Sequence, residues 1–223
     1  MKLSNETLTV LKNFGTINPN LIFPKGNTLA TIAEAKNIMA NAVITEKFKS
    51  EFGIYDVNEF LNVISLVGTN PDLEFSDGHV LISEGGCSAT YRFADVSILT
   101  APKKKITMPD ADVTLTLTAE QLSQVRRAAG ALSHSVVSLY SDGSALSLVV
   151  KDPKNSSSNS FSIGIDTDES LEPFDLQFLI SNLKMLSGDY TVEISSKLIS
   201  KWILSGADIE YYIALEKTST YGE

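Results

Sequence analysis

Four cations stand on segments whose other exposed positions are small and neutral: Lys12, Arg126, Arg127 and Lys184. Their companions include Asn58, Asn62, Ser65, Ser123 and Gln124. Such a face suits weak contact with phosphate oxygens, without reading of base edges. Taken alone, the same four residues fit ordinary solvated charge better. Catalytic chemistry has less footing. His79 lies beside a hairpin turn and His134 after a helix, and no second His or Cys stands at ligand spacing, so surface or capping roles follow and no metal is expected. Cys87 follows Glu84-Gly-Gly without a basic or histidine partner, which reads as a half-buried structural thiol. Asp166, Asp168, Glu169 and Glu172 form an acidic run lacking the Gly and terminal Glu of a calcium loop. Neither a phosphate-cradling glycine loop nor a Gly-x-Ser-x-Gly elbow occurs. No cofactor and no enzymatic activity are expected.

These side chains must be positioned by helices, and the chain writes two of its helical patterns twice. In Tyr55–Val67, Asp56 precedes an apolar stripe of Val57, Phe60, Leu61, Ile64 and Val67. Phe174–Leu186 repeats it, with Asp175 before Leu176, Leu179, Ile180, Leu183 and Leu186. The spacing is one face of an amphipathic helix, and the leading Asp can cap the first turn. The second echo aligns Ser4…Leu8…Leu11-Lys12 with Thr118…Leu122…Val125-Arg126. Thr118 and Gln121 form a capping box, and Ser4 is an N-cap. Lys12 and Arg126 fall at equivalent positions. Asp56 to Asp175 spans 119 residues and Leu8 to Leu122 spans 114; an insertion at Asp152–Asn159 absorbs the difference. The chain reads as a duplicated module of about 110 residues.

Composition is consistent with this. The 223 residues carry an ordinary apolar fraction and a net charge of −9, which argues against a basic protein that binds nucleic acid over its whole surface. A single cysteine excludes an internal disulfide and fits a reducing compartment. Met1-Lys-Leu-Ser-Asn-Glu is not a signal peptide, and no apolar run approaches the roughly 20 residues of a membrane span.

In order, the pattern predicts a helix over Ser4–Phe14 with Leu8, Leu11 and Phe14 inward. A hairpin is expected of Leu21–Phe23 and Thr28–Ile32 about Pro24–Asn27, then strands at Ile38–Ile44 and Ser50–Tyr55, and the Tyr55–Val67 helix. Strands follow over Leu73–Phe75, His79–Ser83 and Cys87–Val96, with turns at Asp77-Gly78 and Gly85-Gly86. Residues 101–112, rich in Pro and Lys, read as a connector between a module at 1–100 and one at 113–223. The second module is expected to hold strands at Val113–Leu117, Val136–Tyr140, Ala145–Val150, Phe161–Ile165, Tyr190–Ser195, Lys201–Leu204 and Ile209–Leu215. Its helices are expected at Ala119–Leu132 and Phe174–Leu186, with Gly188 as a left-handed cap. The fold class is α+β: two similar modules, each with two helices packed on antiparallel sheet.

At this point the sequence resembles a known family. The opening Met-Lys-Leu-Ser…Leu11-Lys12-Asn13-Phe14…Thr16-Ile17-Asn18, the block Ile54-Tyr55-Asp56-Val57-Asn58…Phe60-Leu61…Ile64-Ser65-Leu66-Val67 and the closing Tyr212–Glu216 are similar to the sliding clamp of T4-type bacteriophages. The similarity runs end to end and departs at Ala33–Glu51 and Lys151–Ser160. It implies the ring-forming DNA clamp fold, a head-to-tail homotrimer around double-stranded DNA. It also implies a DNA polymerase and an ATP-driven clamp loader as partners, no membrane, and the cytoplasm of an infected host cell. Under it, Lys12, Arg126, Arg127 and Lys184 face the DNA passage. A polymerase tail docks near Ile106, Met108 and Pro109, beside Lys103–Lys105. Strand Ala89–Val96, with Arg92 and Phe93, meets Phe161–Ile165 of a neighbour, with Phe161 and Ile163. The alternatives are a structural protein that oligomerises through sheet edges without DNA, for which the matched Lys12/Arg126 pair has no purpose, and an enzyme, for which a convergent titratable cluster is missing.

Overall fold

The computed structural model describes residues 1–104, 106–155, 157–167 and 172–222. Lys105 of the expected connector and Asp168 and Glu169 of the acidic run lie outside them. The chain divides into two compact units, Met1–Lys105 with Asp208–Tyr211, and Ile106–Ala207 with Tyr212–Glu223.

The first unit opens on helix α1 (Asn5–Ile17), capped by the Ser4 hydroxyl, which accepts from the Thr7 amide. Its buried face is Thr7, Val10, Leu11, Phe14 and Ile17, so the stripe is turned slightly from the expected one and Leu8 stays half-buried. Strands β1 (Leu21–Phe23), β2 (Gly26–Ile32), β3 (Ile38–Phe48) and β4 (Phe52–Ile54) follow. The expected hairpin between β1 and β2 does not form. β1 pairs with β4, Leu21 opposite Ile54, while β2 pairs with β3. Burial decides: Phe23 stacks on Phe52 at 4.6 Å and meets the Phe48 ring edge-on at 5.3 Å. The segment Asp208–Tyr211 lies along β3, with the Val43 amide donating to the Asp208 carbonyl at 2.9 Å and Tyr211 donating to Asn13 at 2.8 Å.

Helix α2 (Val57–Val67) buries Val57, Phe60, Leu61, Ile64 and Val67, the stripe read from the sequence, and Asp56 caps it by accepting from Asn58 and Glu59. Burial of five such side chains contributes on the order of 10 kcal/mol. Helices α1 and α2 pack where Gly15 faces Asn58; a Cβ there would stand 2.9 Å from the Asn58 Oδ1. The unit closes with the antiparallel sheet β5 (Asp72–Ser76), β6 (His79–Glu84) and β7 (Cys87–Arg92), and a single 3₁₀ turn at Val96–Ile98. The Gly85-Gly86 turn before β7 has φ of 57° and 88°, left-handed geometry that glycine accepts. Cys87 is exposed, not half-buried as expected, because it sits at the tip of this hairpin.

The second unit begins with β8 (Val113–Leu117) and helix α3 (Ala119–Leu132), whose capping box of Thr118 and Gln121 is formed and whose inward residues are Leu122, Val125 and Ala129. Then come β9 (Val136–Ser141), β10 (Leu146–Lys151), β11 (Phe161–Ile165) and β12 (Phe174–Leu179). Strands β13 (Tyr190–Ser195), β14 (Ile199–Leu204) and β16 (Thr220–Tyr221) complete it, with the second half of β15 (Ile209–Ala214), whose first three residues belong to the first unit. One sheet runs β11-β10-β9-β12-β16, and in another β8, β13, β14 and β15 are neighbours. Trp202 is buried at 2% exposure, with Phe178 and Tyr190 edge-on at 5.7 and 6.2 Å.

The expected helix at Phe174–Leu186 is absent. Its first half is β12, its next three residues a 3₁₀ turn at Ile180–Asn182, and the described residues of this unit hold one α-helix. Phe174, Leu176 and Phe178 also alternate, so the segment satisfies a strand as well as a helix. Six residues of pairing with β9 favour the strand. Of the proposed helical stripe only Leu176 and Leu183 are buried. Asp175 is no cap but takes an ion pair from Lys151 at 2.6 Å and a hydrogen bond from Gln177 at 3.1 Å. Gly188 ends no helix and has no left-handed φ. It lets Leu204 approach, since a Cβ would meet the Leu204 Cδ1 at 2.4 Å.

Candidate nucleic-acid interface

In the first unit the candidate surface is the outward side of α1. Lys12 is exposed opposite Leu11 and Phe14, between exposed Thr9 and Thr16. The outward side of α2 adds Asn58, Asn62 and Ser65 without a cation, and Glu59 without a basic partner among the described residues. The N-terminal end of α1 is held by a residue that motif reading missed. The alternation of β3 turns Glu46 inward with Ala42, Ile44 and Phe48. Its carboxylate accepts from the Ser4 amide at 2.5 Å and from the Thr7 hydroxyl in a shorter contact. Burial works to raise its pKa, but the bonds from Thr7, from the Ser4 backbone and from its own backbone outweigh burial and hold it below the ordinary carboxylate value. A negative charge at this end also meets the positive pole of the helix.

In the second unit α3 presents Arg126 and Arg127 side by side. Arg126 is half-buried, and its Nη2 donates to the Leu183 carbonyl at 2.8 Å. This fixes the guanidinium plane while leaving further donors of its fork for a ligand. Arg127 is exposed and pairs with Glu120 at 3.2 Å, both side chains 69% exposed, a bond worth about 0–1 kcal/mol that a phosphate can replace. Lys184 follows Leu183 directly and is exposed. A depression of about 180 Å³ lies between the start of α3 and Leu186–Gly188, lined by Arg126, Arg127, Ser123 and Ser187. The structure therefore brings Arg126, Arg127 and the Leu183–Lys184 segment together, through a hydrogen bond that no helix pattern could have shown. Matching positions on α1 and α3 carry Lys12 and Arg126.

The other predicted residues fall as follows. Ile106, Met108 and Pro109 are half-buried in a stretch without regular structure. Asp112 ends that stretch. Hydrogen bonds from the Ser196 backbone and side chain, then from Ser195, hold its carboxyl below the usual value against slight burial. Arg92 is exposed at the end of β7, an edge strand of its sheet. Phe93 turns inward, stacked on Phe52 at 4.6 Å, its amide donating to the Gly78 carbonyl at 3.0 Å. Phe161 (36% exposed) and half-buried Ile163 lie on β11, also an edge strand. His79 contacts the Asp77 carbonyl at 3.3 Å and His134 the Asn159 carbonyl at 2.7 Å. Among the described residues no three His, Cys, Asp or Glu side chains cluster at metal-binding geometry, and no helix is long and apolar enough to cross a membrane.

Comparison with known proteins decides the family. Residues 4–80 match the model of the DNA polymerase processivity factor family. The sliding clamp of Vibrio phage KVP40 is 30% identical over 97% of this chain and 99% of its own length. The chain belongs to the sliding-clamp family. The sliding clamps of Enterobacteria phage T4 and Escherichia phage RB69 are 28% and 27% identical, each over 99% of both chains. Among solved structures, an A. fulgidus PCNA with the C-terminal region of FEN-1 bound superposes with a TM-score of 0.71 at 17% identity, covering 96% of each chain. The Thermococcus kodakaraensis PCNA gives 0.70 at 11% identity, over 97% of this chain and 99% of its own. These set the clamp fold. The sliding-clamp assignment sets aside the reading of a structural protein unrelated to DNA.

Proposed function

We propose that this sliding clamp encircles duplex DNA as a homotrimer and tethers the replicative DNA polymerase without catalysing a reaction itself. The observation that carries the reading is the placement of Lys12 and Arg126 at matching positions on the outward faces of α1 and α3, with Arg127 beside the second. On a chain of net charge −9, a few cations on the outward sides of the helices allow sliding contact with phosphates, while an acidic balance elsewhere keeps DNA from other faces. Lys184 adds to this set. Residues 1–100 and 113–223 serve as the two modules, joined by 101–112.

Ring closure is assigned to the β7 edge meeting the β11 edge of the next copy, since both leave unpaired backbone groups. Arg92, Phe161 and Ile163 lie at the contact, and Phe93 supports β7 from behind. Partner tails, from the polymerase and from an ATP-driven loader, are assigned to Ile106, Met108 and Pro109. The site of action is the cytoplasm of the infected host. The decisive experiment is charge reversal, Arg126→Glu with Arg127→Glu, in a loaded-clamp retention assay on circular DNA. Loading or retention is expected to fall while the mass in solution stays that of the assembled ring. Normal loading and sliding by the double variant refutes the assignment.

A further inference from the structure

The first unit contains a groove that the DNA-facing reading leaves unused. It lies between the turn joining β3 to β4 and strand β5, with a volume of about 280 Å³. Phe48, Phe52, Leu73 and Phe75 form its floor, and Lys47 and Lys49 stand at its rim. Both lysines are exposed, and the pairing of Gly26 with Phe48 puts exposed Lys25 at the same end of the hairpin. Among the described residues none of the three lysines forms an ion pair. On a chain with 27 acidic and 18 basic residues, three unneutralised cations beside an apolar recess are a local inversion of charge. Glu51 and Glu74 are the nearby carboxylates in sequence, Glu74 lining the groove itself. The volume falls just below the roughly 300–1,000 Å³ of small-molecule sites, and leaves space for an apolar anchor of a peptide.

We propose that this groove docks an acidic peptide segment of a partner protein, laying a Leu or Phe anchor against half-buried Phe75, with flanking carboxylates on Lys47 and Lys49. Nucleic acid fits less well. Base stacking needs an open ring face, whereas Phe48 and Phe52 are only 5% and 6% exposed and are engaged with each other at 5.2 Å. Glu74 would also repel a continuous phosphate chain.

The test uses the full-length protein and a fluorescein-labelled peptide, Asp-Asp-Leu-Phe-Asp-Asp, followed by anisotropy, with amide shifts mapped by NMR. Saturable binding is expected, with shifts confined to residues 47–52 and 73–75. Replacing the Leu-Phe core by Ala-Ala should abolish it. Lys47→Glu with Lys49→Glu, both at exposed positions, should weaken it about tenfold and favour a peptide with Lys in place of Asp. Ile106→Asp with Met108→Asp should leave it unchanged, which separates this groove from the connector. The proposal is overturned by absent saturation at millimolar protein, by equal affinity for the Lys47/Lys49 double variant, or by shifts elsewhere. It is equally overturned if an oligo-dT strand, and not the peptide, shifts these amides, or if the lysine substitutions abolish a self-association, which would make a second copy the occupant.

Discussion

Replacing Glu46 by Gln keeps the size of the side chain and removes its charge. The carboxylate accepts from the Ser4 amide and the Thr7 hydroxyl at 8% exposure. A hydrogen bond to a charged group contributes about 1.5–3 kcal/mol, and charge at a helix start about 0.3–1 kcal/mol. Gln retains one acceptor oxygen, so one of the two bonds loses its acceptor and the other is no longer made to a charged group. The sum is about 3 kcal/mol, close to a hundredfold in the opening equilibrium of the α1 end. Native-state hydrogen exchange of the α1 amides reads this directly. The pH dependence gives an independent check. Because the folded-state pKa of Glu46 is lowered, its stabilisation is present above the ordinary glutamate value and is lost as pH falls through the lowered one. The difference between wild type and Glu46→Gln should therefore shrink on acidification. Protection within about threefold of wild type at neutral pH, or a difference that does not change with acid, refutes the reasoning.

Ile163→Pro places a residue without an N–H in edge strand β11, opposite Leu148 of β10. Light scattering is expected to show monomers where wild type gives trimers, with far-UV circular dichroism nearly unchanged; a trimeric variant moves the contact to another edge. Ile106→Asp with Met108→Asp should abolish processive synthesis while leaving the trimer intact. A labelled C-terminal polymerase peptide that titrates the variant with unchanged affinity places its docking site elsewhere.

The sequence carried α2 almost completely, because one stripe, one capping Asp and burial all agree there. It carried α3 for the same reason, through Thr118 and Gln121. It misled at Phe174–Leu186, where Phe174, Leu176 and Phe178 satisfy period two while Leu176, Leu183 and Leu186 satisfy the helix. Only the partner strand β9, distant in sequence, resolves the tie. The β1 partner was hidden likewise, since a Gly-containing turn suggested β2 and the Phe23–Phe52 stack chose β4. In the candidate site, exposure of Lys12, Arg127 and Lys184 followed from helix phase or from polarity. The bond from Arg126 to Leu183 did not, because its acceptor is a backbone carbonyl 57 residues away in a segment that the pattern read as helical. The inward position of Glu46 was available from the β3 alternation, a weak signal because a carboxylate is ordinarily an outward residue.

The only tryptophan, Trp202, is buried in the second unit, whereas the aromatic core of the first is built from Phe23, Phe48, Phe52, Phe75 and Phe93. Phenylalanine is nearly silent when excitation is set for tryptophan. Emission during denaturant titration is thus a reporter on one half of the chain, and circular dichroism a reporter on both. Coincident transitions by the two probes would mean that the halves melt as one cooperative body. A lag between them would give the stability of each half separately, with no label and no truncation.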